Sequence, residues 1–374
     1  MNIAYVITRA DAVGGASIHV RDLGRAMLDR GHRVTVLVGG RGPVTDQLEN
    51  AGIPYRSLRF LERRICPLRD LRATNELVSV LRCLRPDLVS THTAKAGWVG
   101  RAAGAYLSIP AIYTPHGWSI ADRISILPGA VFTVAERVAA VWAGAIICVC
   151  EQERRLALAR RVAAAEKLHV VHNAVLDVPV ELRADPAPAP VRICSIARFE
   201  PPKDHATLLR ALAELRSQPW ALDLIGDGPL EAKTRSLAGE LGLGGRVRFL
   251  GYQADPARIL ARAQVFVLSS RSEGFPRSVL EAMRAGLPVV ASDVGGVGEA
   301  VANEVNGLLV PSGDPKVLSA ALGRLFADVT LRRRMGAAAR GTFETCFRWE
   351  SMVDSTAAIY ATVLDRTAQK RKSS

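Results

Sequence analysis

The chain has 374 residues, a hydrophobic content of 49% and a formal net charge of +13. This length and apolar content are sufficient for two packed domains and exclude a disordered chain. Because aromatic residues make up only 5% of the chain, the basic charge lacks the stacking platform of a nucleic-acid-binding protein. The six cysteines are scattered without C-x-x-C spacing, which predicts neither a disulfide framework nor a zinc site.

Hydrophobic runs in the sequence stay short. The run at residues 3–7 is shorter than a secretory signal, and the run at residues 139–150 is shorter than a membrane span. We therefore expect a cytoplasmic protein, and any attachment to a membrane would be peripheral.

The first half of the sequence alternates between predicted strands and helices, the pattern of a parallel α/β sheet. Strands at residues 3–7 and 34–38 flank a helix predicted at about residues 17–30. Gly14 and Gly15 lie in the turn before this helix, where the absence of a Cβ atom lets backbone amides approach a ligand. Glycines at such a turn also serve simply to make it tight, so both interpretations stay open.

Residues 56–85 interleave eight arginines with apolar side chains and contain three acidic residues, which gives a net charge of +5. Such a basic, amphipathic segment fits a surface that rests on anionic lipid. It fits equally a solvated helix whose apolar stripe packs into its own domain. We keep both interpretations and take Arg63 and Arg64 as the candidate membrane contacts.

Two further strands of this half end at histidines. The strand predicted at residues 87–91 ends at His92, and Lys95 follows in a helix. The strand predicted at residues 112–114 leads into His116. Because the carboxyl ends of parallel strands meet at the edge where open α/β folds bind ligands, both histidines are expected in a crevice. A lone histidine is as often structural, and that alternative stays open.

A proline-rich stretch at residues 179–190 separates the two halves of the chain. Its prolines exclude helix and strand alike, so we predict a linker there between domains at residues 1–178 and 191–348. A crossover helix is predicted at residues 349–366. The basic tail at residues 367–374 is expected to be disordered.

The second domain is expected to begin with a strand at residues 191–197, which Arg198 and Lys203 follow. Two cations five residues apart, between a strand and a helix, suit the oxygen atoms of a pyrophosphate. A solvated pair of side chains is the simpler alternative.

The most informative stretch of the sequence is residues 269–296. It follows a strand predicted at residues 265–268 and passes through a loop and a short helix into another strand at residues 287–291. The loop and the helix N-terminus are therefore expected at the carboxyl edge of a parallel sheet. Unpaired N–H groups near Arg277 and Ser278, at the start of the helix, can receive a pyrophosphate.

The loop of this stretch reads Glu273-Gly274-Phe275-Pro276. Gly274 permits close approach of a ligand, and Pro276 fixes φ before the first helical turn. Glu273 in the loop and Glu281 in the helix offer paired carboxylates, which bind the hydroxyl groups of sugars well. The combination suggests a nucleotide sugar as ligand, although a helical glutamate is as often simply solvated.

The stretch E-G-F-P-x-S-x-L-E-A-M resembles the donor site of retaining glycosyltransferases of family 4, in which two glutamates form an E-x7-E motif. Glu273 and Glu281 match these glutamates, and Arg198 and Lys203 match the family pattern R-x-x-x-x-K. The motifs T-P-H-G and H-T-x-K-A-G resemble bacterial members that assemble polysaccharides. The resemblance implies the α/β architecture called GT-B: two Rossmann-like domains facing across a cleft, with the C-terminal helix returning to the N-terminal domain.

The resemblance also implies roles for individual residues. His116 in T-P-H-G is expected to orient the hexose and to stabilise the transition state, with Glu273 as the second catalytic residue. His92 and Lys95 are expected to serve either the acceptor or the structure. The implied donor-binding residues are Gly15, Arg198, Lys203, Gly274, Phe275, Pro276, Arg277, Ser278 and Glu281.

Two further positions have less defined expectations. Trp118 begins a loop at residues 118–128, which is predicted to be mobile, with apolar tips near the acceptor entrance. Residues 173–177 read N-A-V-L-D where family sequences show N-G-V-D, and this departure leaves the role of Asp177 open.

The reaction that the resemblance implies is transfer of a hexose or N-acetylhexosamine from a nucleoside-diphosphate sugar, with retention of configuration. A UDP-sugar is preferred over GDP-mannose, and the implied acceptor is a lipid-linked saccharide at an anionic membrane surface, the inner face of the cytoplasmic membrane. No cofactor and no metal are expected, because the sequence has no D-x-D motif and Arg198 and Lys203 can neutralise the leaving diphosphate. A sugar-nucleotide epimerase of the same two-domain fold and a non-catalytic membrane-binding module are the alternatives.

Overall fold

The structure is a computed structural model that describes residues 1–120, 126–187 and 190–373. The chain divides into two compact units, which we call unit 1 (Met1–His172 with Glu350–Ser374) and unit 2 (Asn173–Trp349). Each unit is built around a parallel β-sheet with helices on its faces, which confirms the predicted fold class of two Rossmann-like domains.

The elements of the described residues follow one another along the chain in a regular alternation of strands and helices. The first half contains β1 (Asn2–Ile7), α1 (Gly15–Asp29), β2 (Arg33–Gly39), α2 (Pro43–Asn50), β3 (Tyr55–Leu58), α3 (Pro67–Leu84), β4 (Leu88–His92), α4 (Ala94–Tyr106), β5 (Ala111–Thr114), α5 (Ile126–Val141), β6 (Ala143–Cys148), α6 (Glu151–Ala159) and β7 (Leu168–Val170). The second half contains β8 (Val191–Ile196), α7 (His205–Glu214), β9 (Trp220–Ile225), α8 (Glu231–Glu240), β10 (Val247–Phe249), α9 (Ala257–Leu260), β11 (Val265–Leu268), α10 (Arg277–Arg284), β12 (Val289–Ser292), α11 (Val297–Ala300), β13 (Gly307–Val310), α12 (Pro315–Ala327), α13 (Val329–Cys346) and α14 (Trp349–Ser373). Within the described part of the chain, the helices are each too short or too polar to cross a lipid bilayer.

The sheet of unit 1 has the strand order β3-β2-β1-β4-β5-β6-β7 among the described residues. The direction in which successive strands are added reverses between β1 and β4, which pair in parallel and bring Ile7 opposite His92. Loops that leave a parallel sheet on either side of such a reversal open a crevice at the carboxyl edge. His92 ends β4, and His116 follows β5, the next strand along that edge.

The sheet of unit 2 repeats this arrangement, with the order β10-β9-β8-β11-β12-β13. Here the reversal lies between β8 and β11, where Ile193 pairs with Val265 and Cys194 with Phe266. The loop after β8 and the loop after β11 therefore leave the same edge side by side. These two loops carry Arg198 with Lys203, which are expected to bind phosphate, and the glutamate motif.

The last helix, α14, packs on unit 1. Tyr360 is fully buried, and its Oη atom lies 2.8 Å from Oγ of Ser90 on β4. Val363 packs so closely on Gly144 that a Cβ atom there would lie 2.7 Å from Cγ1 of Val363. The helix runs to Ser373, so residues 367–373 of the tail, which were predicted to be disordered, are helical instead.

The division between the units falls at residues 172 and 173, earlier than the predicted end of the first domain at residue 178. The reason is side-chain anchoring within unit 2. Nδ2 of Asn173 donates to the carbonyl oxygen of Phe275 at 2.8 Å, and Nη1 of Arg277 donates to that of Ala174 at 3.0 Å. The linker is also anchored, because Nε of Arg332 donates to the carbonyl oxygen of Pro186 at 2.7 Å.

A buried ion pair connects the helical layer of unit 1 to its sheet. Arg101 on α4 and Glu136 on α5 are fully buried, with Nη2 and Oε2 at 2.8 Å. Nε1 of Trp98 donates to Oε1 of Glu136 at 2.9 Å, and the guanidinium of Arg101 lies 4.1 Å from the ring centroid of Tyr113. Such a pair contributes stability only while both partners are present, because either charge alone would be buried without compensation.

We predict that Glu136→Ala lowers the thermal midpoint of unfolding by several degrees or more. Removing the carboxylate leaves Arg101 buried and unpaired, which costs about 3–5 kcal/mol. Differential scanning calorimetry measures the change, and Glu49→Ala on an exposed position of α2 is the matched control. Equal midpoints for the two variants would contradict a stabilising role for the pair.

Candidate active site

The loops after β8 and β11 bring two predicted site residues into direct contact. The Nζ atom of Lys203 forms an ion pair with Oε1 of Glu273, and the two side chains are only 19% and 9% exposed. The backbone fixes this meeting, because the N–H of Asp204 donates to the carbonyl oxygen of Ser269 at 3.0 Å and Lys203 forms a β-bridge with Ser270. A cation and a carboxylate that are 70 residues apart in sequence thus meet at the edge of the sheet.

Arg198, the second predicted cation, lies in the same loop and is 19% exposed. Its Nε atom is 3.2 Å from Oε1 of Glu200, and its Nη2 atom is 3.6 Å from Oδ1 of Asp227. Gly226 and Gly228 bring the loop after β9 against this segment: both have φ of +145°, and a Cβ atom on Gly226 would lie 2.1 Å from the carbonyl oxygen of Ala197. This supporting contact of Gly226 was not predicted from the sequence.

The loop Glu273-Gly274-Phe275-Pro276 leads into α10 as predicted, with Pro276 at the N-cap position and φ of −73°. Gly274 is half-buried, whereas Phe275 and Pro276 are buried. Their side chains therefore pack in the interior, and the contribution of this loop to a ligand site comes from its backbone and from Glu273.

The first turn of α10 presents Ser278 half-buried and Arg277 buried. The guanidinium of Arg277 donates to the carbonyl oxygen of Ala174, so this side chain holds the start of unit 2 in place. The prediction that Arg277 binds the donor is thus limited to its backbone N–H at the helix N-terminus, where the dipole favours an anion. The helix ends at Arg284, which donates to the carbonyl oxygen of Leu176 at 2.7 Å.

Glu281 is half-buried on α10. The negative charge of Glu281 affects two neighbouring groups. Burial raises the pKa of the Cys194 thiol, and the charges of Asp223 and Glu281 raise it further. Burial lowers the pKa of Arg284, and the negative charge of Glu281 opposes that shift. The carboxylate therefore lies close enough to Cys194 on β8 and to Arg284 on α10 for its charge to affect both groups.

Two glycines after β12 hold the Glu273 loop in position. Gly295 has φ of +59°, and a Cβ atom there would lie 1.9 Å from the carbonyl oxygen of Glu273. The N–H of Gly296 donates to the carbonyl oxygen of Gly274 at 2.7 Å. Both glycines belong to the stretch at residues 269–296, but their close approach to the Glu273 loop is a feature of the structure that the sequence did not predict.

Three histidines gather at the reversal edge of unit 1. His19 on α1, His92 at the end of β4 and His116 after β5 have ring nitrogen atoms within 4.8 Å of one another. Nδ1 of His92 lies 2.9 Å from Nε2 of His116, and Nε2 of His92 lies 3.1 Å from Oγ of Ser90. Because hydrogen bonds engage both nitrogens of His92, we describe a hydrogen-bonded cluster and assign no metal ion to it. His19 was not predicted from the sequence. The signal that could have indicated it is its position in α1, four residues after Gly15.

The backbone at His116 is held in an unusual conformation. His116 has φ of +55° and Gly117 has φ of +109°, both in the left-handed region. The carboxylate of Glu153 accepts the N–H of Gly117 at 2.7 Å and that of Val149 at 2.9 Å. This buried glutamate, which the sequence analysis did not consider, fixes the loop that presents the half-buried His116.

Family comparisons match both halves of the chain. The profile described as "Glycosyl transferase 4-like domain" matches residues 14–174, and the one described as "Glycosyl transferases group 1" matches residues 184–342. The chain is a family 4 glycosyltransferase of the GT-B type. This result confirms the family that the two glutamates and the R-x-x-x-x-K pattern predicted.

Individual relatives agree with this assignment. The lipopolysaccharide core biosynthesis glycosyltransferase LpsD of Rhizobium meliloti is 35% identical over 196 residues, which are 52% of this chain and 55% of LpsD, so the match spans about half of that relative. The UDP-Gal:alpha-D-GlcNAc-diphosphoundecaprenol alpha-1,3-galactosyltransferase of Escherichia coli is 26% identical over 306 residues, 78% of this chain and 79% of the relative. The structure of Anabaena HepE in complex with UDP-glucose is similar in fold, with a TM-score of 0.82, 23% identity and coverage of 97% of this chain and all (100%) of that one.

Several residues expected at the active site of the glycosyltransferase are structural. Trp118 is 5% exposed, and its Nε1 atom donates to the carbonyl oxygen of Glu153 at 3.0 Å, so it is part of the core and not an apolar tip at the surface. Residues 121–125 of its predicted loop lie outside the described residues. Lys95 is buried and bonded to Asp70 and to the carbonyl oxygen of Arg64, which supports the structural one of its two expected roles.

Asp177 also has a structural role in the glycosyltransferase. The guanidinium of Arg340 donates two hydrogen bonds to its carboxylate, from Nη1 to Oδ1 at 2.5 Å and from Nη2 to Oδ2 at 2.7 Å. This hydrogen-bonded pair lowers the pKa of Asp177 below its ordinary value. Asp177 therefore anchors the start of unit 2 to α13.

Gly15 lies where the prediction placed it, in the turn after β1. It is exposed at the N-terminus of α1, and Oγ of Ser17 accepts the N–H of the preceding Gly14 at 2.9 Å. The exposed backbone at the start of a 15-residue helix is consistent with an anion contact. Arg63 and Arg64 are exposed in the segment before α3.

We predict that Gly295→Ala weakens donor binding by at least tenfold while the fold is retained. The methyl group would displace the Glu273 carbonyl, and the backbone at φ of +59° would be strained as well. Isothermal titration with UDP measures the change, and Gly244→Ala, in open space at another surface turn, is the control. Unchanged affinity in Gly295→Ala would contradict the supporting role of this glycine.

Proposed function

We propose that the enzyme transfers a hexose or N-acetylhexosamine from a UDP-sugar to a lipid-linked saccharide in bacterial polysaccharide or lipopolysaccharide synthesis. The observation that carries the proposal is the Lys203–Glu273 pair at the reversal edge of unit 2, beside the N-terminus of α10. The names of LpsD and of the galactosyltransferase from Escherichia coli support the pathway and the acceptor class. We further propose that configuration at the anomeric carbon is retained and that no metal ion takes part.

The donor diphosphate would bind to the loop after β8 and to the start of α10. An ammonium group has three donors, so the contact of Lys203 with Glu273 leaves donors for phosphate oxygens. The Arg198 guanidinium, the backbone N–H groups of Arg277 and Ser278 and the helix dipole add positive potential at the same edge. Negative charge that develops on the leaving diphosphate is thereby stabilised by fixed groups.

Glu281 would orient the sugar through its hydroxyl groups. For His116 we propose the role that the family resemblance implies, which is to orient the hexose. In the transfer step, the acceptor hydroxyl attacks the anomeric carbon as the bond to the diphosphate oxygen breaks, on the same face of the sugar. The departing phosphate oxygen takes the proton of the acceptor hydroxyl, so no second carboxylate nucleophile is needed. Glu273 contributes by holding Lys203 beside that oxygen.

We predict that UDP-glucose or another UDP-sugar raises the thermal midpoint of the enzyme and that GDP-mannose does so less. A ligand at 100 times its Kd stabilises the folded state by about 2.7 kcal/mol. Glu281→Ala is expected to lose most of this shift, because it removes sugar contacts.

Lys203→Ala is expected to lower kcat by about 10²–10³-fold, since it removes charge stabilisation from the transition state.

The control for both variants is Lys233→Ala on the exposed face of α8, which should behave as wild type. Near-normal binding and kcat in Lys203→Ala and Glu281→Ala would reject the site. Release of UDP that depends on added polyprenyl-diphosphate sugar supports the transferase. Conversion of the nucleotide sugar without any acceptor would instead indicate the epimerase.

An exposed, apolar and basic surface of unit 1 supports a membrane contact. Ile65 just before α3, and Leu68 and Leu71 in its first turns, are 52%, 77% and 60% exposed. The second half of the helix instead packs into the core through residues such as Leu77 and Leu81. The packing interpretation of this segment therefore fits the C-terminal half of α3, and the membrane interpretation fits its N-terminal end. The membrane proposal applies to its N-terminal end.

The charges of this segment favour an anionic partner. All eight of its arginines are exposed, while its acidic residues are engaged within unit 1. Asp70 pairs with Lys95, Glu62 lies 3.4 Å from Arg69, and Glu76 accepts the backbone N–H of residues 59 and 60. The surface thus presents cations next to apolar side chains, the combination that binds anionic lipid.

A second exposed apolar stripe lies on α5 of unit 1. Val131, Val134, Val138 and Val141 on α5 are between 53% and 73% exposed. Helix α4 lies between α3 and α5 in the same layer. We propose that this layer rests on the membrane that holds the acceptor.

We predict that Arg63→Glu with Arg64→Glu reduces sedimentation with phosphatidylglycerol vesicles by at least tenfold. Each basic residue near an anionic surface contributes about 1 kcal/mol, and both charges are reversed. Arg333→Glu with Arg334→Glu makes the same charge change at exposed positions of unit 2 and is the control. Equal sedimentation of all proteins, or equal binding to neutral phosphatidylcholine vesicles, would reject this contact.

A further inference from the structure

A chain of buried polar side chains runs behind His116 in unit 1. The Oη atom of Tyr360 on α14 lies 2.8 Å from Oγ of Ser90, which lies 3.1 Å from Nε2 of His92. Nδ1 of His92 in turn lies 2.9 Å from Nε2 of His116. Tyr360, Ser90 and His92 are at most 1% exposed, so water does not compete for these contacts.

The number of available protons restricts the direction in which these three hydrogen bonds run. Each of the three contacts requires one proton, and neutral His92 must donate at one ring nitrogen and accept at the other. Ser90 is fully buried, and a buried hydroxyl whose proton finds no acceptor is costly, so Ser90 is expected to donate to one of its two described partners, Tyr360 or His92. If Tyr360 donates to Ser90, then Ser90 donates to Nε2 of His92. His92 must then carry its proton on Nδ1 and donate it to His116.

The chemistry of its members favours the direction from Tyr360 to His116. Burial raises the pKa of Tyr360 to about 12, so its hydroxyl keeps the proton, and a phenol is a stronger donor than a serine hydroxyl. Burial and the nearby His116 lower the pKa of His92 well below its usual range, so this ring stays neutral with a single proton. Among the residues that the structure describes, Tyr5 and His19 also face His92, with ring centroids 5.6 and 5.7 Å from its own.

We propose that His92, held by Ser90 and Tyr360, is a positioning residue that fixes His116 with its proton on Nδ1 and with Nε2 as acceptor. Free histidine prefers the opposite form, with the proton on Nε2. The effect on catalysis rests on the proposed role of His116 in orienting the sugar. The C-terminal helix thus contributes to the site through Tyr360, which has no need to touch the substrate.

The tautomers can be read directly by ¹⁵N NMR of the full-length protein labelled at histidine. The chain has seven histidines, and His92→Gln and His116→Gln assign the two signals. We expect wild-type His116 to carry its proton on Nδ1. In Ser90→Ala, His92 loses the donor at Nε2, so both rings should change to the Nε2–H form. Tyr360→Phe should give a smaller change in the same direction, because Ser90 can still donate.

Thr91→Val is the matched control. Its Oγ1 atom is equally buried on the adjacent position of β4, but it donates to the carbonyl oxygen of Ile112 at 2.9 Å, outside the chain of contacts. This variant should keep the wild-type tautomer. In kinetic assays, Ser90→Ala should lower kcat about tenfold with the donor KM unchanged, the size expected for one buried hydrogen bond, and Thr91→Val should alter neither.

Three results would overturn the proposal. They are a wild-type His116 with its proton on Nε2, a His116 signal that is unchanged in Ser90→Ala, and a change of the His116 signal on treatment with EDTA, which would indicate a metal ion as the organising group. If the expected spectra are obtained but no nucleotide sugar supports transfer, the positioning role stands and the proposed function fails.

Discussion

The parallel pairing of β8 with β11 is the constraint on which the proposed donor site depends. It reverses the order in which strands join the sheet, and two loops from distant parts of the sequence leave the same edge side by side. The contact of Lys203 with Glu273 follows from that geometry. Backbone close approaches then fix both loops: Gly226 lies against the first and Gly295 against the second, at distances that admit no side chain.

Unit 1 uses the same reversal with different chemistry. Its edge between β1 and β4 collects imidazole rings, whose hydrogen bonds have a direction that depends on where single protons reside. The position of His116 depends on a strained backbone that Glu153 holds through two N–H groups. Burial strengthens these contacts, because a buried polar group without a partner is costly. The site of unit 2 relies on charge, whereas that of unit 1 relies on orientation.

The residues whose predicted roles changed have one property in common, which is burial with a polar partner in the same unit. Lys95 is bonded to Asp70, Arg277 reaches a backbone carbonyl, and Trp118 packs in the core with its N–H bonded to another carbonyl. A motif identifies such residues as important to the family. It does not distinguish a residue that touches the ligand from one that supports the loop, because both roles need the same residue at the same place.

The sequence alone determined the alternation of strands and helices, the two-domain organisation, the glycosyltransferase family and the loops that carry Arg198, Lys203 and Glu273. These features depend on local periodicity and on short motifs, which a single chain displays directly. Only the tertiary structure decided which partner each polar side chain has, from the pairing of Lys203 with Glu273 to the contact of Tyr360 with Ser90, 270 residues apart. The physical reason is that such contacts arise from strand order and helix docking, and neither leaves a trace in local sequence.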